Sequence, residues 1–388
     1  MKSLQNILAR WALKDGFAQL ALTSRAYPYI LALGASVLLY QLISRFMSHD
    51  MAFIYLEYLA NYDLGFIRRG LVPELLSFAK PQLTHLDVRI FAVITIVFAL
   101  VAYIAMFATR FGLTARELPL LVCTIVSPCV FKNFAFDFAR LDILGFIGAA
   151  LVLSLPVNRS FSLIVGVICC VLGVIHEAQF LTYVPVFATI AALRLFAHHG
   201  NFRNLISWRE VVAGLATATT MILVITFGDA NVPPDVFFAH IQAKASDPVI
   251  DRIYIWYIGA RENMQLASDP ALLWYQLQSS PKYALILLAH VPLFRLMARY
   301  FQAMSIAEKI AYAAGLAAVT LAFFVMFAIS HDKARWFANW VTGLILILHA
   351  AKLVRPEADE KLDELRTPLA LIAAWLLAII SRVGLFAP

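Results

Sequence analysis

The sequence is short of charge. Only 14% of its 388 residues are Asp, Glu, Lys or Arg, whereas 62% are hydrophobic and the mean hydropathy is +0.79; a soluble domain carries roughly a quarter charged residues. A soluble globular chain is excluded, and the composition predicts an all-α, polytopic bundle of transmembrane helices forming one domain over residues 1–388. Cysteine is scarce too. Cys123, Cys129, Cys169 and Cys170 lie in apolar runs without zinc-ligand or disulfide-framework spacing, and read as small buried hydrophobes. No nucleotide-binding loop and no nucleic-acid-binding motif interrupts the apolar segments, so the pI of 9.2 reflects membrane orientation. The first ~25 residues lack the apolar stretch of a cleavable signal peptide. Leu4, Ile7, Leu8 and Trp11 set against Lys2, Arg10 and Lys14 predict an interfacial helix there.

What the chain has in abundance is apolar segments. A span needs roughly 20 apolar residues, fewer where neighbours bury it or the bilayer thins. Eleven spans are expected, near 27–46, 91–109, 118–131, 142–157, 161–175, 178–196, 211–227, 283–299, 308–329, 336–352 and 367–386. The third and fifth are short, and 161–196 is split at His176-Glu177 because one continuous helix would overshoot the hydrocarbon layer. A modest excess of Lys and Arg, with the loops RLFAHHGNFRNLISWRE and ARYFQAMSIAEK taken as cytoplasmic, puts the N-terminus inside and the C-terminus outside a bacterial inner membrane. The run ADEKLDELR then reads as a solvated cytoplasmic helix.

With that topology the unusual polar residues share one face. The first outer loop, Met47 to Arg89, carries Asp50, Glu57, Asp63, Arg68 and Arg69. Its stretch DLGFIRRG sets an acid before a pair of arginines, whose rigid forks of N–H donors suit a phosphate; the plainer alternative is a basic patch on lipid headgroups. KNFAFDFARLD adds Lys132, Asp137, Arg140 and Asp142, with Asp137 and Arg140 spaced to pair on one helix face. His176 and Glu177 follow at the break, then the long loop 228–282 with Trp256, Tyr257, Trp274 and Tyr275. SHDKARW closes the series with His331, Asp332, Arg335 and Trp336. Each cluster has a structural alternative, an ion pair or a charged span end. Their convergence on one face is what points to a site.

A carboxylate in the first outer loop, many spans and outer-face basic residues together resemble the GT-C class of membrane glycosyltransferases. DLGFIRRG and a DxxRW-like element, matched by Asp332, Arg335 and Trp336, also look like motifs of bacterial envelope proteins of similar layout. The resemblance implies transfer of a sugar from a polyprenyl-phosphate donor to a glycan or lipid acceptor on the outer face. It implies a catalytic acid in the loop after the first span, Asp63, with Asp50 second. Arg68, Arg69, Lys132, Arg140 and Arg335 are the candidate cations for the donor phosphate; Asp137, Asp142, His176, Glu177, His331, Asp332 and Trp336 complete the expected binding residues. The chemistry requires a carboxylate to take the acceptor proton and cations to stabilise the departing phosphate. No organic cofactor is expected, no metal-ligand spacing such as HxxxH occurs near His176, and participation of a divalent cation is left open. An O-antigen-type polymerase acting on lipid diphosphate glycans, a transporter and a non-catalytic envelope subunit are the alternatives. A transporter would gather its charges near the bilayer midplane.

Overall fold

The computed structural model describes residues 27–48, 52–112, 118–125, 127–200, 207–250, 253–257, 280–330, 332–356 and 369–380, with isolated residues between 258 and 279. The expected N-terminal interfacial helix, Asp50, His331 and the ADEKLDELR segment lie outside the described residues.

Most of the described residues are helical. In order, the helices are α1 (Tyr27–Met47), α2 (Ala52–Glu57), α3 (Leu71–Ala79), α4 (His85–Arg110), α5 (Leu118–Ile125), α6 (Phe131–Phe136), α7 (Asp142–Ser154), α8 (Phe161–Ile175), α9 (Gln179–Thr182) and α10 (Val184–His199). They continue with α11 (Trp208–Phe227), α12 (Pro234–Lys244), α13 (Ser280–Ala289), α14 (Val291–Ala303), α15 (Ile306–Ile329), α16 (Lys333–Val354) and α17 (Leu369–Ile380). The long helices start where the sequence supplies caps. Thr84 with Asp87, Ser207 with Glu210 and Ser305 with Glu308 each form a reciprocal capping box, which satisfies amides at the helix N-terminus.

Among the described residues six helical segments have the length and hydropathy to cross a membrane, seven if the α13–α14 pair, bent by 56° at His290, counts as one. Other apolar segments there form shorter helices, and the polytopic all-α reading holds. In lipid every backbone amide must be satisfied within the protein, and helices do so internally. The packing centre is α16, 83% of whose apolar window is buried, wrapped by α10, α15, α14 and α7. By contrast α11 leans on α8 and leaves nearly all its other surface exposed.

Two short helices shape the site. With 13 and 15 residues, α7 and α8 are only about 20 and 22 Å long, against a hydrocarbon layer of about 30 Å. One end of this pair is tied to the long helices. Arg110 at the end of α4 donates to the Leu153 carbonyl (2.7 Å), Arg194 of α10 donates to Val152, and Arg194 also lies over the Phe161 ring that begins α8. The opposite ends of α7 and α8 therefore stop short, and the region beyond them, termed the recess below, holds the loops that precede α7 and follow α8.

Candidate functional site

That recess collects charged residues from four separated parts of the chain. Glu57, the last residue of α2, is fully buried, and its Oε1 accepts from Arg69 Nη1 (2.8 Å) and from Arg140 Nη1 (2.9 Å). Arg69 reaches on to Glu177 with Nε and Nη2, at 3.0 and 2.5 Å for the closest oxygens. At the head of α16, Arg335 lies 3.1 Å from Asp332 and 3.6 Å from Asp142 and stacks over Trp336 at 4.2 Å. The Trp336 indole N–H donates in turn to Ser330 (2.6 Å), fixing the plane on which the guanidinium rests.

The local backbone is bent to aim these side chains. Arg69 (φ 67°) and Ala139 (φ 68°) are the non-glycine residues with left-handed backbone among the described residues. Such conformations cost on the order of 1–3 kcal/mol and persist where surrounding contacts hold them. Ala139 is held by Tyr58, whose hydroxyl donates to its carbonyl (2.5 Å), and the turn carries Arg140 onto Glu57. In DLGFIRRG, Gly65 also takes a left-handed φ (106°), and a Cβ on Gly70 would stand 2.4 Å from the Tyr62 ring. The glycines let the chain fold back so that successive arginines diverge. Arg69 turns into the recess. Arg68 turns away to Asp229 (3.1 Å) and the Ile255 carbonyl, clipping the 228–257 loop to the first outer loop.

The depth of burial differs within the cluster. Glu57, Asp142, His176 and Arg335 form a buried floor, whereas Arg69, Asp137, Arg140, Glu177 and Asp332 are partly exposed around it. Burial alone would raise the Glu57 carboxyl, but Arg140 and Arg69 more than offset it and hold the acid below the usual carboxylate range. Glu177, likewise penalised by burial, is held well below that range by Arg69. Asp137 goes the other way: burial, with Asp332 close by, pushes its carboxyl up to about 7. The His176 Nδ1 accepts from the Ala178 amide (3.2 Å). Several buried polar atoms here have no hydrogen-bond partner: Glu57 Oε2, Asp137 Oδ2, both Asp142 oxygens and His176 Nε2. Buried polar groups are nearly always paired by protein or water, so these atoms are places for water or a polar ligand to bind.

Other residues singled out in the sequence lie elsewhere. Asp63 is half-exposed at the surface, 2.6 Å from Lys244 of α12; that hydrogen bond and the Asn61 side chain keep its carboxyl below the usual range. Lys132 is buried in the bundle, where it donates to the Ala378 and Ile379 carbonyls of α17 (2.8 and 2.6 Å). Among the described residues no group of three His, Cys, Asp or Glu side chains is placed to hold a metal ion. Glu57 is the central residue that sequence reasoning counted only among the charges of its loop. Its signal was a single acid inside AFIYLEYLA, apolar on both sides.

A family model described as an uncharacterised membrane protein, Rv1490, matches residues 26–249. The chain belongs to this family. The matched part of this Rv1490-family member includes Glu57, Arg69, Asp137, Arg140, Asp142, His176 and Glu177, while Asp332 and Arg335 lie beyond it. No curated protein and no solved structure matches the chain. The family shows a membrane protein and assigns no activity, so any function rests on the recess itself.

Proposed function

We propose that this chain is an integral membrane glycosyltransferase that works at the outer face of a bacterial inner membrane and uses a polyprenyl-phosphate-linked sugar. One observation carries the reading: carboxylates and arginines from distant segments meet in a recess at one end of the bundle, with buried carboxylate oxygens that have no partner. Intramembrane and near-membrane ionisable groups are costly and tend to be functional. The opposite end carries Arg110, Arg194, Lys352 and Arg355, which supports a cytoplasmic face there and a recess outside.

The residues divide by their electrostatics. A general base works best with a pKa near the operating pH, which fits Asp137 and not Glu57 or Glu177, whose charges are locked to arginine. With Asp63 outside the recess, the base role passes from the first outer loop to Asp137. In the step, the acceptor oxygen bonds to the anomeric carbon and the anomeric carbon–phosphate oxygen bond breaks. The electron pair stays on the phosphate, and the acceptor proton goes to Asp137. Arg140 and Arg335 face the charge that grows on the leaving phosphate. Glu57 and Asp142 position those arginines and do not touch the reacting atoms.

The test is transfer of a labelled sugar from a synthetic polyprenyl phosphate by the purified full chain in lipid nanodiscs. Asp137→Asn keeps size and polarity, and is expected to lower turnover by about 10²–10⁴. Wild-type turnover in Asp137→Asn removes the base assignment. Absence of any transfer by the wild type, across donors and acceptors, removes the glycosyltransferase reading.

A further inference from the structure

The hydroxyls of Tyr55, Tyr58, Tyr103 and Tyr183 are hydrogen-bonded, as buried phenols usually are. Those of Tyr62, Tyr283 and Tyr312 are buried without a hydrogen-bond partner. Of these three, Tyr283 alone is within electrostatic reach of a recess acid, Asp332; Tyr62 is beside Glu74, and Tyr312 lies in α15 one turn from Glu308 at the basic end. The bend between α13 and α14 brings Tyr283 there. Pro292 has no N–H for the Leu288 carbonyl, so the helix breaks and the two halves meet at 56°. The Ala289 carbonyl at the break accepts instead from Trp375 Nε1 of α17 (2.8 Å) and Cys123 Sγ of α5 (3.3 Å), which fixes the elbow. Beyond it α14 packs on α16 and α5, while α13 leans on α17 and lays the Tyr283 ring against Phe337, with centroids 4.8 Å apart. Phe337 follows Trp336, the ring that carries Arg335.

We infer that Tyr283 binds the phosphate of the lipid-linked substrate, its hydroxyl giving a hydrogen bond to one phosphate oxygen while Arg335 holds another. This rests on the lipid-linked sugar proposed above and adds a wall and a residue to its site. The unsatisfied groups of the recess sort by kind. On one side are carboxylate oxygens of Glu57, Asp137 and Asp142, which accept. On the other are Arg335 Nε and Nη1 and the Tyr283 hydroxyl, which carry protons and make no hydrogen bond. Arg335 is more than nine-tenths buried and is ion-paired with Asp332 and Asp142, yet those N–H groups are not hydrogen-bonded. A phosphate diester anion offers acceptors only, so it suits the side with N–H and O–H groups, and the sugar hydroxyls suit the acids. Tyr283 and Asp332 are both partly exposed, so that side of the recess is the one a ligand can approach from outside.

The experiment compares Tyr283→Phe with wild type, each as the full chain in lipid nanodiscs. The change removes the hydroxyl and keeps the ring on Phe337. Direct binding of a synthetic isoprenyl phosphate is expected to weaken roughly tenfold or more, as for one lost charge-assisted hydrogen bond. The KM for the labelled sugar phosphate lipid should rise by the same factor with little change in kcat, because the bond is present in bound substrate and transition state alike. Thermal unfolding should stay within about 2 °C of wild type or move up, since no protein contact is lost. Tyr312→Phe removes an unpaired hydroxyl outside the recess and is the control, expected to bind and turn over as wild type does. Unchanged binding in Tyr283→Phe, or none by either protein, overturns the assignment. So does a variant that binds normally yet melts lower, because the hydroxyl is then a structural partner of Asp332. Equal competition by inorganic phosphate or by phosphatidylglycerol also overturns it, since the site then takes any phosphate. The two readings fail separately. Tyrosine-dependent binding without any sugar transfer leaves the assignment standing and sinks the transferase; transfer with a wild-type KM in Tyr283→Phe sinks the assignment alone.

Discussion

The two ends of the bundle use arginine differently. At the basic end, Arg110 and Arg194 donate to the last carbonyls of α7, and Arg355 pairs with Glu308, an acid already engaged in capping α15. Each cation there closes a helix terminus. At the recess end, Arg69, Arg140 and Arg335 meet Glu57, Glu177, Asp142 and Asp332, carboxylates outnumber arginines even before Asp137 is counted, and acid oxygens remain without hydrogen-bond partners. An arginine that ends a helix is an anchor and needs nothing more. An arginine in a network with spare acceptors is arranged for something else.

The largest effect that tests this contrast is on Asp137. Its loss in Asp137→Asn is expected to remove about 3–5 kcal/mol of transition-state stabilisation, the equivalent of 10²–10⁴ in rate. Stability should move the other way. A carboxyl raised to about 7 in the folded protein contributes stability that is complete below the unfolded value and is lost as pH rises through about 7. Asp137→Asn should therefore melt higher than wild type above pH 7 and show little difference near pH 4, as read by thermal unfolding across pH. A variant that is less stable at high pH would show Asp137 to be a structural partner of Arg140 or Arg335. The same assignment predicts that wild-type turnover rises with pH through about 7.

Next comes Glu57→Gln, which takes the shared acid from two guanidiniums. Breaking a buried pair by removing one partner costs about 3–5 kcal/mol, and a denaturant series on the detergent-solubilised chain would read it. Arg194→Met at the other end removes one charged donor to a helix carbonyl, for about 1.5–3 kcal/mol, without altering the pH profile of turnover. If Arg194→Met and Glu57→Gln cost the same and both leave turnover intact, the ends do not differ in kind. The smallest effect belongs to Asp63→Asn. Its ion pair with Lys244 is at the surface, so a loss below about 1 kcal/mol and near-normal turnover are expected. A dead Asp63→Asn would return the base to the first outer loop.

The comparison also shows what can be read from sequence. Fold class followed from hydropathy, because a helix in lipid satisfies its own backbone, and the His176-Glu177 break was visible as two ionisable residues in an apolar run. The convergence of charged loops followed from topology alone. The finer assignments depended on side-chain direction. Arg68 and Arg69 are adjacent and identical, yet one clips a loop and the other lines the recess, because Arg69 adopts a left-handed backbone that its residue type does not announce. Lys132 sits beside Asp137 and Arg140 in sequence, but α6 carries it to the end of α17. Asp63 looked better placed than Glu57 because a pair of arginines follows it. Glu57 is central because its neighbours are apolar and bury it.

The recess also has a history within each synthesis of the chain. Its first ion pair joins residues 12 apart, Glu57 and Arg69; the next partners of that pair stand 83 and 108 positions away, and Arg335 comes from the penultimate described helix. At roughly 5–20 residues per second, the wait between Glu57 and Arg335 leaving the ribosome is on the order of tens of seconds. Of its partners Arg69 is the nearest in sequence to Glu57, so the pair is the first able to form and to spare a lone acid from facing lipid. A chain arrested before α16 thus holds most of the charged residues and none of the completed recess, so any activity reports that insertion ran to the end.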